Sequence, residues 1–311
     1  MISEPALDRL SAMFRVPDVT GTRYELLSEL GRGGMGIVYL ARDTVLDREV
    51  ALKIVDRAPD PDGTHGSAPR ALATEARILA RLEHPGIVPV HDFGELPDGR
   101  LFYAMKRVRG DRLDRWLAAG RDLDERLAVF VRVCEAVAFA HAHGVVHRDL
   151  KPENIMVAEF GEVLVLDWGI ARIPNAEPGT LNSEPRTPNP EPVLVAGTPH
   201  YMAPEQARGD AAADHRVDVH ALGVVLEMMG GAAPLTAIAN KARAADPATR
   251  YPTVQALAAD VNRFVAGRAV QAHRERLRDR AARVWRRYKL PILLVLTYLA
   301  IRVLLLWLAR V

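Results

Sequence analysis

The spacing of apolar residues changes near Gly110 and divides this chain of 311 residues into two unlike halves. Before that point, short runs rich in β-branched and aromatic residues are separated by turns, which predicts strands. These strands are expected at 24–30, 36–42, 48–55, 87–96 and 100–108, with one helix at 70–82. Afterwards helical spacing dominates, at 123–144, 203–208, 214–229, 235–245 and 252–266. A mostly β lobe followed by a helical lobe predicts an α+β fold with a ligand-binding cleft between the lobes.

A polar run interrupts the helical half in the sequence VVHRDLKPENIMV, residues 145–157. One interpretation is a solvated turn between two strands. The other is a catalytic loop, in which Asp149 accepts a hydroxyl proton, Lys151 neutralises a developing charge and Asn154 binds a metal ion. Asp167 offers a second oxygen ligand downstream, which matches the preference of Mg²⁺ for oxygen atoms beside phosphates. A turn cap explains any one of these side chains, but the order and spacing of the whole set favour catalysis.

Two further features point to phosphate chemistry. The stretch GRGGMGIV, residues 31–38, fits the pattern G-x-G-x-x-G-x-V, in which backbone N–H groups can approach phosphate oxygens closely. A glycine-rich hairpin is also a common structural device, and its place between two strands argues against a Rossmann unit. Lys53 ends the third strand; alone it reads as a solvated edge residue, but Glu75 on the next helix could pair with it and aim it at phosphates.

These motifs occur in one order along the chain: the glycine loop, VALK, a helix glutamate, HRDLKPEN, DWG and GTPHYMAPE. Over residues 24–267 the chain therefore resembles bacterial serine/threonine protein kinases of the eukaryotic-like (Hanks) type. The resemblance implies a two-lobed protein-kinase-like fold, with the N-lobe at 24–109 and the C-lobe at 110–267. It also implies transfer of the γ-phosphoryl group of ATP, with Mg²⁺, to serine and threonine hydroxyls of proteins, including autophosphorylation.

The resemblance further implies roles for individual residues. The catalytic set is Asp149 as base, Lys151 at the γ-phosphate, and Lys53 paired with Glu75. The metal ligands are Asn154 and Asp167. The nucleotide would be bound by Leu30, Gly31, Arg32, Gly33, Gly34, Met35, Gly36, Ile37, Val38, Ala51, Lys53, Met105, Lys106, Val108 and Met156.

Other residues would support or regulate this set. By resemblance, Thr198 buttresses the catalytic loop, Glu205 pairs with Arg250, and Asp218 braces the loop from a central helix. Arg148 beside Asp149 implies activation by phosphorylation, because an arginine there can bind a phosphate on the activation segment. The candidate phosphoacceptors are Thr180, Ser183 and Thr187.

The chain departs from the family pattern in three places. Trp168 replaces the usual phenylalanine, and Lys106 stands where an acidic hinge residue is common; neither change is expected to abolish activity. The third departure is larger. The stretch EMMGGAAPL, residues 227–235, is followed at once by TAIANKARAADPATRY, residues 236–251. Between these two stretches, related kinases usually have some tens of further residues, including a helix that helps dock substrates. The alternative function is therefore a nucleotide-binding scaffold with little protein phosphorylation. Transfer to a small molecule is disfavoured by the GTPHYMAPE segment.

The C-terminal part has the character of a membrane anchor. Residues 290–309 form about 20 predominantly apolar positions, the length of a transmembrane helix. Residues 268–289 carry 9 Arg and Lys against 2 Asp and Glu, which predicts a basic juxtamembrane segment with the preceding domain in the cytoplasm. Arg302 is unfavourable within a span, and an amphipathic helix buried in a protein interface is the alternative. Two tethered copies would meet more often, which favours a homodimer that autophosphorylates in trans.

The remaining features narrow the class of protein. Residues 1–267 carry a net charge of −7 although the whole chain is at +2, and an acidic body argues against a nucleic-acid partner. The single cysteine, Cys134, excludes an internal disulfide. Residues 1–23, broken by Pro5 and Pro17, are predicted to form a flexible leader.

Overall fold

The structure is a computed structural model, which describes 16–33, 36–55, 67–168, 198–210, 213–273, 293–295, 297–299 and 301–302. Within these residues a β-sheet lobe precedes a helical lobe. The predicted two-lobed α+β architecture is therefore confirmed.

The N-lobe is an antiparallel five-stranded sheet with one helix packed beside it. Its elements are β1 (Tyr24–Gly33), β2 (Gly36–Asp43), β3 (Arg48–Ile54), α1 (Ser67–Arg81), β4 (Val90–Glu95) and β5 (Leu101–Lys106). The strands lie in the order β1-β2-β3-β5-β4, so the β-branched and aliphatic residues of β3 occupy the buried centre of the sheet. This arrangement brings Lys53, near the end of β3, opposite Val38 of β2 on one side and Tyr103 of β5 on the other.

The C-lobe combines a small sheet with a bundle of helices. Its elements are β6 (Gly110–Arg112), α2 (Leu113–Ala118), α3 (Leu123–Ala142), β7 (Ile155–Ala158), β8 (Val163–Val165), α4 (Pro204–Ala207), α5 (Arg216–Met229), α6 (Ala233–Ala242) and α7 (Val254–Val265). Helix α3 begins after Asp122, whose carboxylate accepts a hydrogen bond of 2.8 Å from the Glu125 N–H. It ends before Gly144, which has a left-handed φ of 73°. The segment 145–157 therefore begins at a fixed point, and most of its residues are buried.

Two short elements of the C-lobe differ from the sequence-based expectation. Strand β6 and helix α2, at 110–118, were not anticipated, because three and six residues are too few to show a period. Helix α6 follows α5 after a short turn at Gly230 and Gly231, which have φ values of 72° and 126°. The expected helices at 203–208, 214–229, 235–245 and 252–266 correspond to α4, α5, α6 and α7.

The structure describes only parts of the N-terminal and C-terminal segments. The described part of the expected leader, 16–23, contacts the N-lobe: Pro17 is buried, and the Asp18 N–H donates to the Asp98 carboxylate at 3.0 Å. Residues 1–15 and 274–289 lie outside the described residues. Of the expected span at 290–309, eight residues are described; all are helical and exposed, and six of them are apolar. Across all described residues, no single helix combines the length and the apolar character needed to cross a bilayer.

Candidate active site

Three charged side chains meet between the lobes. The Lys53 ammonium donates to both oxygens of the Glu75 carboxylate at 3.0 and 2.8 Å, and to the Asp167 Oδ1 at 2.9 Å. The Tyr103 hydroxyl donates to the same Glu75 carboxylate at 2.9 Å. Glu75 comes from α1, Lys53 from β3 and Asp167 from the segment after β8. Lys53 is therefore positioned by the carboxylate of Glu75 and also bonds to the more exposed carboxylate of Asp167.

The electrostatics of this group keep the lysine charged. Burial alone would lower the pKa of Lys53, but the carboxylates of Glu75 and Asp167 raise it above its usual value. Burial alone would raise the pKa of Asp167, but the charge and hydrogen bond of Lys53 lower it below its usual value. The Asp167 side chain is 45% exposed, whereas that of Glu75 is fully buried. Of the two carboxylates, Asp167 is the one that can reach a ligand in the cleft.

A second group surrounds Asp149 in the loop between α3 and β7. The Lys151 ammonium donates to the Asp149 Oδ2 at 2.7 Å and to the Thr198 hydroxyl at 2.8 Å. The Thr198 N–H donates to the Asp149 Oδ1 at 3.1 Å. The Asn154 amide donates to the Asp149 carbonyl at 2.9 Å. All four residues were expected at one site from the sequence, and the structure brings them together.

Asp218 of α5 forms hydrogen bonds to the backbone at the start of this loop. Its carboxylate accepts hydrogen bonds from the His147 N–H at 2.9 Å and the Arg148 N–H at 2.8 Å, and lies 2.7 Å from the His141 Nε2. Asp218 is fully buried, which by itself would raise its pKa; the hydrogen bonds and His141 lower it below its usual value. Arg148 has a left-handed φ of 70°, an unfavourable conformation for a residue with a side chain. The buried carboxylate holds the loop in this strained shape.

The Asp149 group and the Asp167 group are tied to each other through one residue. The Leu166 N–H donates to the Asn154 carbonyl at 2.8 Å, and the Leu166 carbonyl lies 3.0 Å from the His147 Nε2. Trp168 is fully buried with its ring 4.5 Å from that of His147. The tryptophan thus fills an apolar position beneath the loop, as its bulk predicts.

The expected nucleotide-binding residues that the structure describes lie on strands β1, β2, β3 and β5 of the N-lobe, just after β5, and on β7 of the C-lobe. Gly36 has a φ of 143° next to the carbonyl of Ile54. Ala51 is buried and pairs with Met105 across β3 and β5. Lys106, at the end of β5, forms an ion pair of 2.5 Å with Glu162. The others in the described residues are Leu30, Gly31, Arg32 and Gly33 on β1, Ile37 and Val38 on β2, Val108 after β5 and Met156 on β7, while Gly34 and Met35 lie outside them.

This geometry agrees with the comparisons with known proteins. The family described as protein kinase domain matches residues 24–278 of the chain. The chain belongs to the protein kinase domain family. The kinase domain of PknI from Mycobacterium tuberculosis, a solved structure, aligns with a TM-score of 0.58 and 28% identity over 80% of this chain and 98% of that one.

Similar curated proteins carry a serine/threonine kinase name. The serine/threonine-protein kinase PknD of Chlamydia caviae is 33% identical over 300 residues, which cover 79% of this chain and 31% of PknD. PknD of Chlamydia muridarum is 33% identical over 331 residues, covering 88% and 34%. This chain therefore spans 31–34% of the length of these two relatives. The predicted membership of the protein kinase family is confirmed.

Protein kinases use Mg²⁺ with ATP, and the donor set present here fits such an ion. Asp167 offers a half-exposed carboxylate, and Asn154 turns its amide nitrogen to Asp149, which leaves the amide oxygen for a cation. Among the described residues no cluster of three or more His, Cys, Asp or Glu could hold a metal ion. Two protein ligands are nevertheless enough for Mg²⁺, which usually keeps waters and binds substrate phosphates.

Helix α4 is fixed to the rest of the C-lobe by a buried ion pair. The Arg250 guanidinium donates to the Glu205 carboxylate at 2.6 and 2.8 Å, as the resemblance predicted for these two residues. Both side chains are nearly fully buried. The possible phosphoacceptors Thr180, Ser183 and Thr187 lie outside the described residues.

Sequence reasoning missed three residues of the kinase site. His141 is a polar residue on a helix that is apolar on most faces, which is a usable signal. Tyr103 faces Lys53 only because of the pairing of β3 with β5, which the sequence does not specify. Gln206 donates to the Arg148 carbonyl at 2.7 Å, and nothing in its sequence context indicates this.

Proposed function

We propose that this chain is an active serine/threonine protein kinase that transfers the γ-phosphoryl group of ATP to protein hydroxyls. The observation that carries this proposal is the arrangement around Asp149. Its carboxylate is held by the Thr198 N–H at 3.1 Å and by Lys151 at 2.7 Å, beside a cleft that also contains the Lys53, Glu75 and Asp167 group. A base, a cation for the transferred group and a phosphate-binding lysine are the parts that phosphoryl transfer requires.

Each residue has a role in this proposal. Asp149 accepts the proton of the substrate hydroxyl as the oxygen attacks phosphorus. Lys151, which already touches Asp149, stabilises the charge on the transferred phosphoryl group. Lys53 binds the α- and β-phosphates while Glu75 keeps its ammonium in place. Asn154 and Asp167 would hold Mg²⁺, whose charge neutralises the phosphate oxygens when it is bound.

Replacing Asp149 by asparagine tests this proposal. The Asp149→Asn variant keeps the shape of the side chain but has no proton acceptor of comparable strength. Turnover of a serine- or threonine-containing peptide with Mg-ATP should fall by roughly 10²–10⁴-fold, while nucleotide binding is retained. Mass spectrometry of the wild-type chain should locate autophosphorylation on Thr180, Ser183 or Thr187.

The same experiment separates the active kinase from a scaffold. Only residues 230–232 separate α5 from α6, and the scaffold alternative holds that the surface on which related kinases dock protein substrates is reduced here. If the wild-type chain binds nucleotide but phosphorylates neither itself nor a peptide, the scaffold is the better description.

We also propose that the kinase domain is tethered to the cytoplasmic face of a membrane by a single helix at 290–309. The support comes from the apolar length of this segment, the 9 basic residues at 268–289, and six described helical residues whose apolar side chains are exposed: Leu293, Leu294, Val295, Tyr298, Leu299 and Ile301. Tethering would raise the local concentration of the chain and promote phosphorylation between two copies. In membrane fractionation, the chain should stay in the pellet after washing with alkaline carbonate; release into the supernatant would show peripheral binding instead.

A further inference from the structure

Gln206 contacts the backbone immediately before the proposed catalytic base. Its side-chain Nε2 donates a hydrogen bond of 2.7 Å to the carbonyl oxygen of Arg148. Gln206 lies in α4, which is adjacent to neither α3 nor β7 in the sequence. A glutamine from one segment thus holds the peptide bond that joins Arg148 to Asp149 in another.

That peptide bond needs external support. Arg148 has a φ of 70°, and such a conformation persists only where the surroundings hold it. The Arg148 N–H donates to the Asp218 carboxylate at 2.8 Å, and the Arg148 carbonyl accepts from Gln206. On the far side of the peptide, the Asp149 N–H lies 3.2 Å from the His147 Nδ1. Together these contacts define the rotation of the peptide and hence the direction in which the Asp149 side chain leaves the backbone.

The residues on either side of Gln206 are held in place by their own contacts. The preceding residue, Glu205, forms the buried ion pair with Arg250, and the Ala207 N–H donates to the Ala203 carbonyl at 2.9 Å. The segment that begins with Thr198 also touches Asp149 directly through the Thr198 N–H. The segment from Thr198 to Gln206 therefore contacts the catalytic loop from both of its ends: Thr198 bonds to Asp149 and Lys151, and Gln206 bonds to the carbonyl of Arg148.

We infer that Gln206 is a positioning residue for phosphoryl transfer, which orients Asp149 by fixing the Arg148–Asp149 peptide. This inference rests on the proposed function, in which Asp149 is the base. Displacing a reacting group by about 1 Å can cost 10²-fold in rate, so a contact of this kind affects the chemical step. The phosphate-binding group of Lys53, Glu75 and Asp167 is held by other contacts, and nucleotide affinity should be independent of Gln206.

The test uses the full-length chain with Gln206→Met, which removes the donor at similar length, and Gln206→Glu, which turns an acceptor toward the carbonyl. Gln255→Glu, on the exposed face of α7, is the matched control for the change in charge. Both Gln206 variants should lower kcat for a peptide by about 10- to 100-fold. The KM for ATP should stay within about twofold of the wild-type value, which separates positioning from binding.

A double-mutant cycle on kcat distinguishes a positioning role of Gln206 from a merely structural one. In the Asp149→Asn background there is no base to orient, so adding Gln206→Met should cause little further loss. Unchanged kcat in both Gln206 variants, an equal loss in both backgrounds, or a parallel loss of ATP affinity would each overturn the inference. Wild-type turnover by Asp149→Asn would instead overturn the proposed role of Asp149, and the inference with it.

Discussion

Among single residues, Gly36 shows most directly why a motif needs its residue type. It is the first residue of β2 and has a φ of 143°, which residues with a side chain rarely adopt. A Cβ atom there would overlap the backbone carbonyl of Ile54 on the neighbouring strand. A Cβ atom at Gly31 would meet no atom of the described residues within 4 Å. Packing among the described residues therefore requires a glycine at position 36 but not at position 31.

We therefore expect Gly36→Ala and Gly31→Ala to differ in stability. The Gly36 variant must shift β2 or β3, which should lower the free energy of unfolding by about 1–3 kcal/mol. The Gly31 variant should change it by less than about 0.5 kcal/mol. Urea denaturation without nucleotide measures this difference directly, because it excludes any effect on phosphate binding. Equal destabilisation of the two variants would contradict the packing argument.

Residues that belong to the sequence motifs were easier to assign to the site than the residues that form hydrogen bonds to them. Lys53, Glu75 and Asp167 were singled out because their residue types and their order along the chain are distinctive, and the structure brings these three side chains into contact. Gln206 and Tyr103 escaped notice because a hydrogen bond between distant segments depends on strand pairing and helix placement. Such contacts depend on the tertiary fold, and a single sequence carries no local pattern for them.

At the level of helices and strands, length decided which elements could be predicted. The helix α3 and the strands of the N-lobe are long enough to be recognised, the helix by its 20 largely apolar residues and a strand such as β3 by its run of aliphatic residues. Strand β6 has three residues and exists because it pairs with β7, where Arg112 lies opposite Met156. Helix α4 has four residues, far fewer than an isolated helix needs, and is stabilised by the Glu205–Arg250 pair. These two elements form only in the context of the folded C-lobe.

For the chain as a whole, the structure shows how the helical lobe continues beyond α7. Val270 is buried in the C-lobe core, although it follows the last helix of the lobe by five residues. The buried Asp260 carboxylate accepts hydrogen bonds from the Gln271 N–H at 2.7 Å, the Ala272 N–H at 3.0 Å and the Tyr251 hydroxyl at 2.7 Å. Residues 268–273, expected from charge alone to belong to the basic segment, are thus packed against the domain.

This packing predicts different stabilities for two fragments, 1–267 and 1–273. The shorter fragment loses the burial of Val270 and leaves the Asp260 carboxylate without its two backbone donors, which should cost about 2–4 kcal/mol of unfolding free energy at pH 7. Chemical denaturation of both fragments measures the difference, and a shared denaturation midpoint would show that 268–273 contribute nothing to the fold.

The same comparison has a pH dependence with a defined sign. Burial alone would raise the pKa of Asp260, but the N–H groups of Gln271 and Ala272, with Tyr251, lower it below its usual value. A lowered pKa in the folded state stabilises the fold at pH values above the unfolded pKa, near 3.8, and this stabilisation is lost as the pH falls further. The advantage of 1–273 over 1–267 should therefore be largest near neutral pH and shrink below pH ~4, to the share that the burial of Val270 supplies. A difference that stays constant down to pH ~3 would mean that the apolar contact alone fixes this segment, and that Asp260 takes no part in it.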